Sequence, residues 1–218
     1  MCDKKRPIVK ICGLRRGEDL RVCIQHGADI LGFVVDYPHQ NPWNLTVGEA
    51  KKLMAAASPA KSCVVTGGTA EHVLSLAAEL RPDYMQYHWE ATAPQVKYLA
   101  GALEPFGVKL IQAVFPHTPD LPQTAAAFAA AGAHALLLDS RTPEHAQHSG
   151  AASIAAWQKL QPAVNCPVIL AGGITPDNAA ALVRSSDVAM IDLMTGVELA
   201  PGVKDKEKVA ALFRALRQ

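Results

Sequence analysis

Short apolar segments alternate along the chain with longer segments in which apolar residues recur at helical spacing. The short segments predict eight strands, at residues 8–12, 30–35, 62–66, 83–87, 108–114, 134–138, 167–171 and 188–193. The longer segments predict eight helices, at residues 17–26, 47–57, 70–80, 93–104, 120–131, 151–162, 176–185 and 205–217. Strict alternation of strand and helix is typical of repeated βα units that build a parallel sheet.

Eight parallel strands of this length favour closure into a barrel, and 218 residues lie near the lower end of the usual size of one (β/α)8 domain. An open, doubly wound sheet is the alternative, but no GxGxxG motif follows the first strand. No linker and no change of composition divides the chain. We therefore expect residues 1–218 to form a single-domain α/β fold, a (β/α)8 TIM barrel.

Composition and charge limit the kinds of ligand and partner that we expect this protein to bind. The formal net charge of +1 gives no reason to expect nucleic acid or a membrane surface as partner. The five cysteines have no CxxC spacing and the eight histidines form no HxH or HExxH motif, which argues against a metal site. The charged start MCDKKRP is unlike a signal peptide, and no apolar run approaches the ~20 residues of a membrane span. We expect a cytoplasmic protein that binds a small molecule.

Function in such a barrel lies on the loops that follow the strands. Gly172 and Gly173 follow the seventh predicted strand, and Thr195 and Gly196 follow the eighth. Glycines there expose backbone N–H groups and permit close approach of a ligand, while the following segment can present a helix N-terminus. The two loops therefore predict a phosphate site, and two tight turns without a ligand are the alternative.

A thiol and a carboxyl group end two strands on opposite sides of the predicted ring. Cys12 ends the first strand and Asp139 ends the sixth, so the two groups could flank a small ligand as base and acid. A buried apolar cysteine and a helix-capping aspartate are the structural alternatives. Lys10 lies two residues before Cys12 on the same strand face, and its charge is expected to lower the pKa of the thiol.

Other polar groups follow the remaining strands. His88 follows the fourth strand and Asp192 ends the eighth, and each could face the site or serve the structure alone. The irregular stretch DYPHQNPWNLT after the second strand contains Trp43 and is long enough to lie over the mouth of the barrel.

Five segments carry more specific motifs. They are KICGL at 10–14, GADILGFVV at 27–35, ALLLDS at 135–140, ILAGGITPDN at 169–178 and IDLMTGVELAPGVKD at 191–205. In this order, and over nearly the whole chain, they resemble the phosphoribosylanthranilate isomerase family. The resemblance implies an Amadori rearrangement in tryptophan biosynthesis, which converts N-(5′-phosphoribosyl)anthranilate to 1-(2-carboxyphenylamino)-1-deoxyribulose 5-phosphate without metal or organic cofactor.

The resemblance also implies roles for individual residues. Cys12 would be the general base that removes the C2′ proton, and Asp139 the general acid that protonates the ring oxygen as the sugar opens. The backbone groups that would hold the phosphate are those of Ser149, Gly150, Gly172, Gly173, Thr195 and Gly196. The residues assigned with less support to the substrate pocket are Lys10, Trp43, His88 and Asp192.

The chain departs from the family where the aromatic acid would bind. Trp43 stands where a KSPR-like segment of the family has an arginine for the anthranilate carboxylate. Losing this contact would weaken binding by about 1.5–3 kcal/mol unless Arg15, Arg16 or Arg141 replaces it. Trp89 replaces a glycine of the family pattern and takes up room that the glycine leaves free. Near the phosphate, Met194 replaces a serine, which removes one hydroxyl group.

Two alternatives to the isomerase stay open. A diverged paralogue could isomerise a different phosphorylated amino sugar, and Trp43 distinguishes this reading from the first. A non-catalytic phosphosugar-binding barrel is the other alternative, and the presence of both Cys12 and Asp139 argues against it. The sequence does not give the oligomeric state, and we expect a monomer or a homodimer.

Overall fold

Eight parallel strands form a closed barrel in the computed structural model, which describes residues 6–139, 150–186 and 188–217. The strands are β1 Ile8–Ile11, β2 Ile30–Val34, β3 Lys61–Thr66, β4 Tyr84–Tyr87, β5 Lys109–Val114, β6 Ala135–Asp139, β7 Val168–Ala171 and β8 Met190–Leu193. Each strand pairs with the next in chain order, and β8 pairs with β1 to close the ring. The predicted (β/α)8 barrel is confirmed.

In the part of the chain that the structure describes, eight α-helices follow the strands in strict alternation. They are α1 Gly17–His26, α2 Val47–Met54, α3 Ala70–Leu80, α4 Ala93–Leu103, α5 Leu121–Ala130, α6 Gly150–Leu160, α7 Pro176–Ser186 and α8 Lys206–Ala215. Local capping sets several boundaries. Thr46 and Glu49 form a reciprocal capping box at the start of α2, and Gly27 ends α1 in the left-handed conformation at φ 99°. None of the helices in these described ranges is long and apolar enough to cross a membrane.

The apolar residues form two separate cores. The larger core lies between the outer face of the sheet and the helices, and includes Phe33, Leu136 and Phe213. The smaller core contains alternate strand residues such as Val65 and Leu137 and fills the inside of the barrel. Because side chains alternate between the two cores, the register of each strand decides which polar residues point inward.

The segment after β8 contains structure that the sequence pattern did not predict. A short 3₁₀ turn at Thr195–Val197 leads into an antiparallel pair, β9 Glu198–Ala200 and β10 Val203–Lys204. The strand predicted at 8–12 ends at Ile11, but the Cys12 N–H still donates to the Leu193 carbonyl at 2.8 Å. Cys12 is therefore held at the end of β1 by the closing strand β8.

Candidate active site

A cavity of about 210 Å³ lies at the carboxyl ends of the strands. Its lining includes the following residues that the sequence analysis singled out: Cys12, Trp43, His88, Asp139, Gly172, Gly173, Asp192, Met194, Thr195 and Gly196. The other lining residues are Val34, Tyr37, Asn41, Val65, Gln86, Leu137, Ala171, Ile174 and Leu193. The barrel thus brings a thiol, two carboxyl groups and two glycine loops to one place.

The thiol of Cys12 is buried at the edge of this cavity, with 5% of the residue exposed. It fits there because β2 has a glycine beside it: a Cβ on Gly32 would lie 2.8 Å from the Cys12 Sγ. Burial raises the pKa of the thiol above its ordinary value, while the charge of Lys10 opposes the rise and that of Asp192 adds to it. The expectation that Lys10 would give the thiol a lowered pKa is wrong, because desolvation outweighs the lysine.

Lys10 lies deeper in the barrel than the sequence suggested, and it does not line the cavity. The residue is fully buried, and its Nζ donates to Asp192 Oδ2 at 2.8 Å. The pair forms because Lys10 and Asp192 face each other in the register of β1 and β8. Burial alone would lower the pKa of Lys10, but the neighbouring Asp192 raises it above its ordinary value. Lys10 therefore remains a cation beside Cys12.

Asp139 ends β6, which is separated from β1 by β7 and β8 in the closed ring, so the two strands are not directly opposite as the sequence suggested. Asp139 lines the cavity and is 6% exposed. Its Oδ2 is 3.7 Å from His88 Nε2, and His88 Nδ1 is 3.1 Å from Gln86 Nε2. Since the Gln86 amide donates to Nδ1, the imidazole carries its proton on Nε2, on the side of Asp139; this tautomer is assigned from the hydrogen-bond network. Gln86 is almost fully buried, and its Oε1 accepts no hydrogen bond from the described part of the chain.

The two glycine loops meet at the edge of the cavity formed by β7 and β8. Gly172 and Gly173 have φ values of 87° and 66°, which favour glycine. A Cβ on Gly196 would collide with the Ile174 carbonyl oxygen, so this close approach of the loops requires glycine. Asn178 fixes the first loop, because its Nδ2 donates to the Gly173 carbonyl at 2.9 Å. The predicted phosphate site has its four central residues together.

Two further residues belonged to that prediction. Gly150 is the first residue of α6. Ser149 lies outside the described residues.

Trp43 lines the cavity from the loop after β2. Its Nε1 donates to Glu198 Oε1 at 2.9 Å, and the same oxygen accepts a hydrogen bond from Lys204 Nζ at 2.8 Å. The β9–β10 pair, which the sequence pattern did not predict, therefore supplies the contact that fixes the indole. Met194 lies beside it, since a Cβ on Gly13 would approach both side chains within 3.0 Å.

The loop after β2 is fastened to the barrel by side chains. The Tyr37 hydroxyl donates to the His88 carbonyl at 2.8 Å, and Asn44 bonds to both the N–H and the carbonyl of Tyr37. The Trp89 indole stacks on the His39 ring at a centroid distance of 5.1 Å. The loop thus lies at the mouth of the barrel, as its length predicted, and it brings Tyr37 and Asn41 to the cavity.

Three arginines were considered as substitutes for the arginine that binds the anthranilate carboxylate in the family. Two of them make other contacts. Arg15 Nη1 donates to the Pro42 carbonyl at 2.7 Å, and Arg16 pairs with Glu18. Arg141 lies outside the described residues. Among the cavity-lining residues that the structure describes, none is a lysine or an arginine. Within the same ranges, no three histidine, cysteine or acidic side chains are grouped so that they could hold a metal ion.

Comparison with known proteins identifies relatives over almost the whole chain. Residues 9–215 match the family model described as N-(5′-phosphoribosyl)anthranilate (PRA) isomerase. The N-(5′-phosphoribosyl)anthranilate isomerase of Halorubrum lacusprofundi is 35% identical over 207 residues, which cover 93% of this chain and 92% of the relative. That of Nitrobacter winogradskyi is 34% identical, over 96% and 92%.

Solved structures agree. The crystal structure of phosphoribosyl anthranilate isomerase from Thermus thermophilus has a TM-score of 0.78 and 34% identity to this chain. The match covers 95% of this chain and 97% of that one.

Proposed function

Because the chain belongs to the N-(5′-phosphoribosyl)anthranilate isomerase family, we propose that Cys12 and Asp139 catalyse this isomerisation in its barrel cavity. The substrate is a small phosphosugar that carries an aromatic amine, and the reaction is a step of tryptophan biosynthesis. The observation that carries the residue assignment is that a thiol from β1 and a carboxyl from β6 line one cavity, beside the two glycine loops.

The phosphate binds at the loops after β7 and β8. The left-handed conformations of Gly172 and Gly173 turn the chain at this edge, and Gly196 lets the second loop approach the first. Backbone N–H groups at such turns bind anions, and this pair of loops is the usual phosphate site of a (β/α)8 barrel. Because β6 and β1 flank this pair of strands in the ring, a ribose attached to the anchored phosphate lies close to both Asp139 and Cys12.

Asp139 starts the reaction by giving a proton to the ring oxygen of the ribose. As the bond between C1′ and this oxygen breaks, the lone pair of the substrate nitrogen forms the C1′ iminium ion. A buried carboxyl next to a histidine that carries its proton on Nε2 can supply the proton and then remain as a carboxylate facing the imidazole.

Cys12 completes the proton transfer as its thiolate. The iminium ion acidifies C2′, the thiolate removes the C2′ proton, and the C–H electron pair forms the C1′–C2′ double bond of an enolamine. The enolamine becomes the ketone when the C2′ hydroxyl loses a proton and C1′ gains one. Gln86 Oε1 accepts a hydrogen bond from a sugar hydroxyl, which gives this buried acceptor a partner.

Turnover of phosphoribosylanthranilate, followed by the change in anthranilate fluorescence, tests the assignment. We expect Cys12→Ala and Asp139→Asn to reduce kcat at least a thousandfold. The denaturation midpoint should stay close to wild type, and so should the affinity for the reduced product analogue, 1-(2-carboxyphenylamino)-1-deoxyribitol 5-phosphate. Cys166→Ala is the matched control, because this half-buried thiol precedes β7 at the opposite end of the barrel. Near-wild-type turnover of either active-site variant would contradict the roles.

The same assay separates the alternatives. Absence of turnover in folded wild-type protein that binds phosphorylated amino sugars would favour the paralogue with a different substrate. Binding without turnover of any such sugar would favour the non-catalytic barrel.

A further inference from the structure

We propose that the Trp43 indole is the surface on which the aromatic ring of the substrate packs, and that Glu198 is the positioning residue that holds the indole in place. The inference rests on the proposed function and deepens it, since it assigns the end of the cavity that recognises the amine substituent. It concerns binding of the ring and leaves the proton transfers of Cys12 and Asp139 as described.

Two neighbouring atoms of the indole are fixed by the protein. Trp43 Nε1 donates to Glu198 Oε1 at 2.9 Å, and the adjacent Cδ1 lies close above Gly13, where a Cβ would come within 2.7 Å of it. Gly13 has a φ of 73° and contributes no side chain, so the indole can lie directly on its backbone. Trp43 lines the cavity. With Nε1 and Cδ1 engaged by the protein, the six-membered ring of the indole is the part left to contact a ligand.

The carboxylate that holds the indole is itself fixed. The Glu198 and Lys204 side chains are 5% and 1% exposed, and Lys204 Nζ donates both to Glu198 Oε1 at 2.8 Å and to the Met194 carbonyl at 3.2 Å. A hydrogen bond to a buried, charge-paired carboxylate is stronger than one to a neutral or exposed acceptor. The indole orientation is therefore set before a ligand binds, and no rotamer has to be selected on binding.

The layout of the cavity directs the aromatic ring to this wall. The glycine loops take up the β7 and β8 edge, and Cys12 on β1 and Asp139 on β6 flank it, so the substituent on C1′ extends toward the remaining arc of the ring, β2 to β5. The apolar lining residues from this arc and its loops include Val34, Val65 and Trp43, and Trp43 packs against the inner core that contains the two valines. No basic side chain is among the described lining residues. An aromatic ring packs there by apolar contact and ring–ring interaction, which adds about 0.5–1.5 kcal/mol to area burial.

Two ligands that differ in the substituent on C1 test the contact, since one carries the 2-carboxyphenylamino group there and the other a hydroxyl group. The first is the reduced product analogue, 1-(2-carboxyphenylamino)-1-deoxyribitol 5-phosphate, and the second is ribitol 5-phosphate, which lacks the ring. We expect Trp43→Leu to weaken binding of the first roughly tenfold and of the second less than twofold, by titration calorimetry. Trp43→Phe keeps an aromatic ring without the N–H, and we expect it to retain more affinity for the first ligand than Trp43→Leu.

The positioning role of Glu198 has its own readout. In a Trp89→Phe/Trp157→Phe background Trp43 is the only tryptophan, and we expect the reduced analogue to quench its emission. Glu198→Leu should make this indole more accessible to acrylamide and weaken the ring-bearing ligand about fivefold, with the ring-less ligand unaffected. Glu198→Gln keeps an acceptor oxygen and should fall between Glu198→Leu and wild type. Glu79→Gln, on the exposed face of α3, is the control and should change neither measurement.

Several results would overturn the inference. Equal weakening of both ligands by Trp43→Leu would indicate a general disturbance of the cavity, and weakening of neither would exclude contact with the ring. Unchanged acrylamide access in Glu198→Leu would remove the positioning role. Each of these results can occur while wild-type protein turns over phosphoribosylanthranilate, whereas absent turnover counts against the proposed function.

Discussion

Gly32 makes the space that the sulfur of Cys12 occupies, so Gly32→Ala tests whether the position of the thiol matters for catalysis. The new Cβ would lie 2.8 Å from Cys12 Sγ and 3.0 Å from Cys12 Cα. Non-bonded carbon atoms have their optimum at about 3.5–4.0 Å, so the sulfur and the end of β1 have to shift by roughly 1 Å. The end of β1 has little freedom, because the Cys12 N–H is bonded to the Leu193 carbonyl at 2.8 Å.

This displacement sets the expected magnitudes. Overpacking a core by one methyl group destabilises a protein by about 1–3 kcal/mol, which a single domain of this size tolerates. A misplacement of about 1 Å in a reacting group costs roughly a hundredfold in rate. We therefore expect Gly32→Ala to lower kcat about a hundredfold, with the affinity for the reduced product analogue within threefold of wild type, since the phosphate loops are on other strands.

The assay combines kcat from anthranilate fluorescence, analogue affinity from calorimetry, and unfolding in urea. Gly48→Ala is the matched control: this glycine lies in helix α2 with nothing within 4 Å of an added Cβ, and the change should raise the free energy of unfolding by about 0.5–1 kcal/mol without changing kcat. A kcat of Gly32→Ala within threefold of wild type would refute the reasoning, because the thiol would then tolerate the displacement.

Two further predictions concern the thiol environment and the phosphate loops. Lys10 opposes and Asp192 reinforces the raised pKa of Cys12, so Lys10→Met should raise this pKa further and Asp192→Asn should lower it. The rate of Cys12 alkylation by iodoacetamide against pH, measured by mass spectrometry, checks both signs, and shifts in the same direction would contradict the account. Gly196→Ala should weaken binding of the reduced product analogue at least tenfold in calorimetry, because the new methyl group separates the two loops; unchanged affinity would remove Gly196 from the phosphate site.

The fold could be predicted because its pattern is carried by every βα unit. Buried strands and amphipathic helices differ in period, and the described residues contain the eight barrel strands and eight α-helices in the predicted order, with boundary shifts of a few residues. The inward direction of Cys12 also follows from the register, because strand residues alternate between the two cores. Asp139 follows directly after a continuous apolar run, so the sequence predicts that its carboxyl group lies at the end of a strand and therefore at the mouth of the barrel.

The contacts between distant segments could not be predicted from the sequence. The β9–β10 pair has strands of three and two residues, too short to give a periodic signal, yet it supplies Glu198 for Trp43. The direction of the pKa shift of Cys12 was predicted wrongly for a related reason. Lys10 was identified two residues away, but burial and the pairing of Lys10 with Asp192 depend on β8 closing against β1. The presence of Gln86 in the cavity could have been predicted, because Gln86 lies two residues before His88 and so shares its strand face.

The presence of the buried Lys10–Asp192 pair is better explained by its effect on the ionisation of Cys12 than by a contribution to the free energy of folding. Replacing a buried ion pair with apolar residues of similar volume is often neutral or stabilising, so the pair is weak evidence of a contribution to folding. Its position beside Cys12 has a clear chemical effect. Burial makes the thiolate a stronger base, which suits removal of a proton from carbon, but the same burial reduces the fraction of thiol that is ionised. The charge of Lys10 limits that reduction, and Asp192 keeps Lys10 charged inside the barrel while no thiolate is present. The pair thus allows an apolar barrel to hold a strong base without leaving an uncompensated charge in its core.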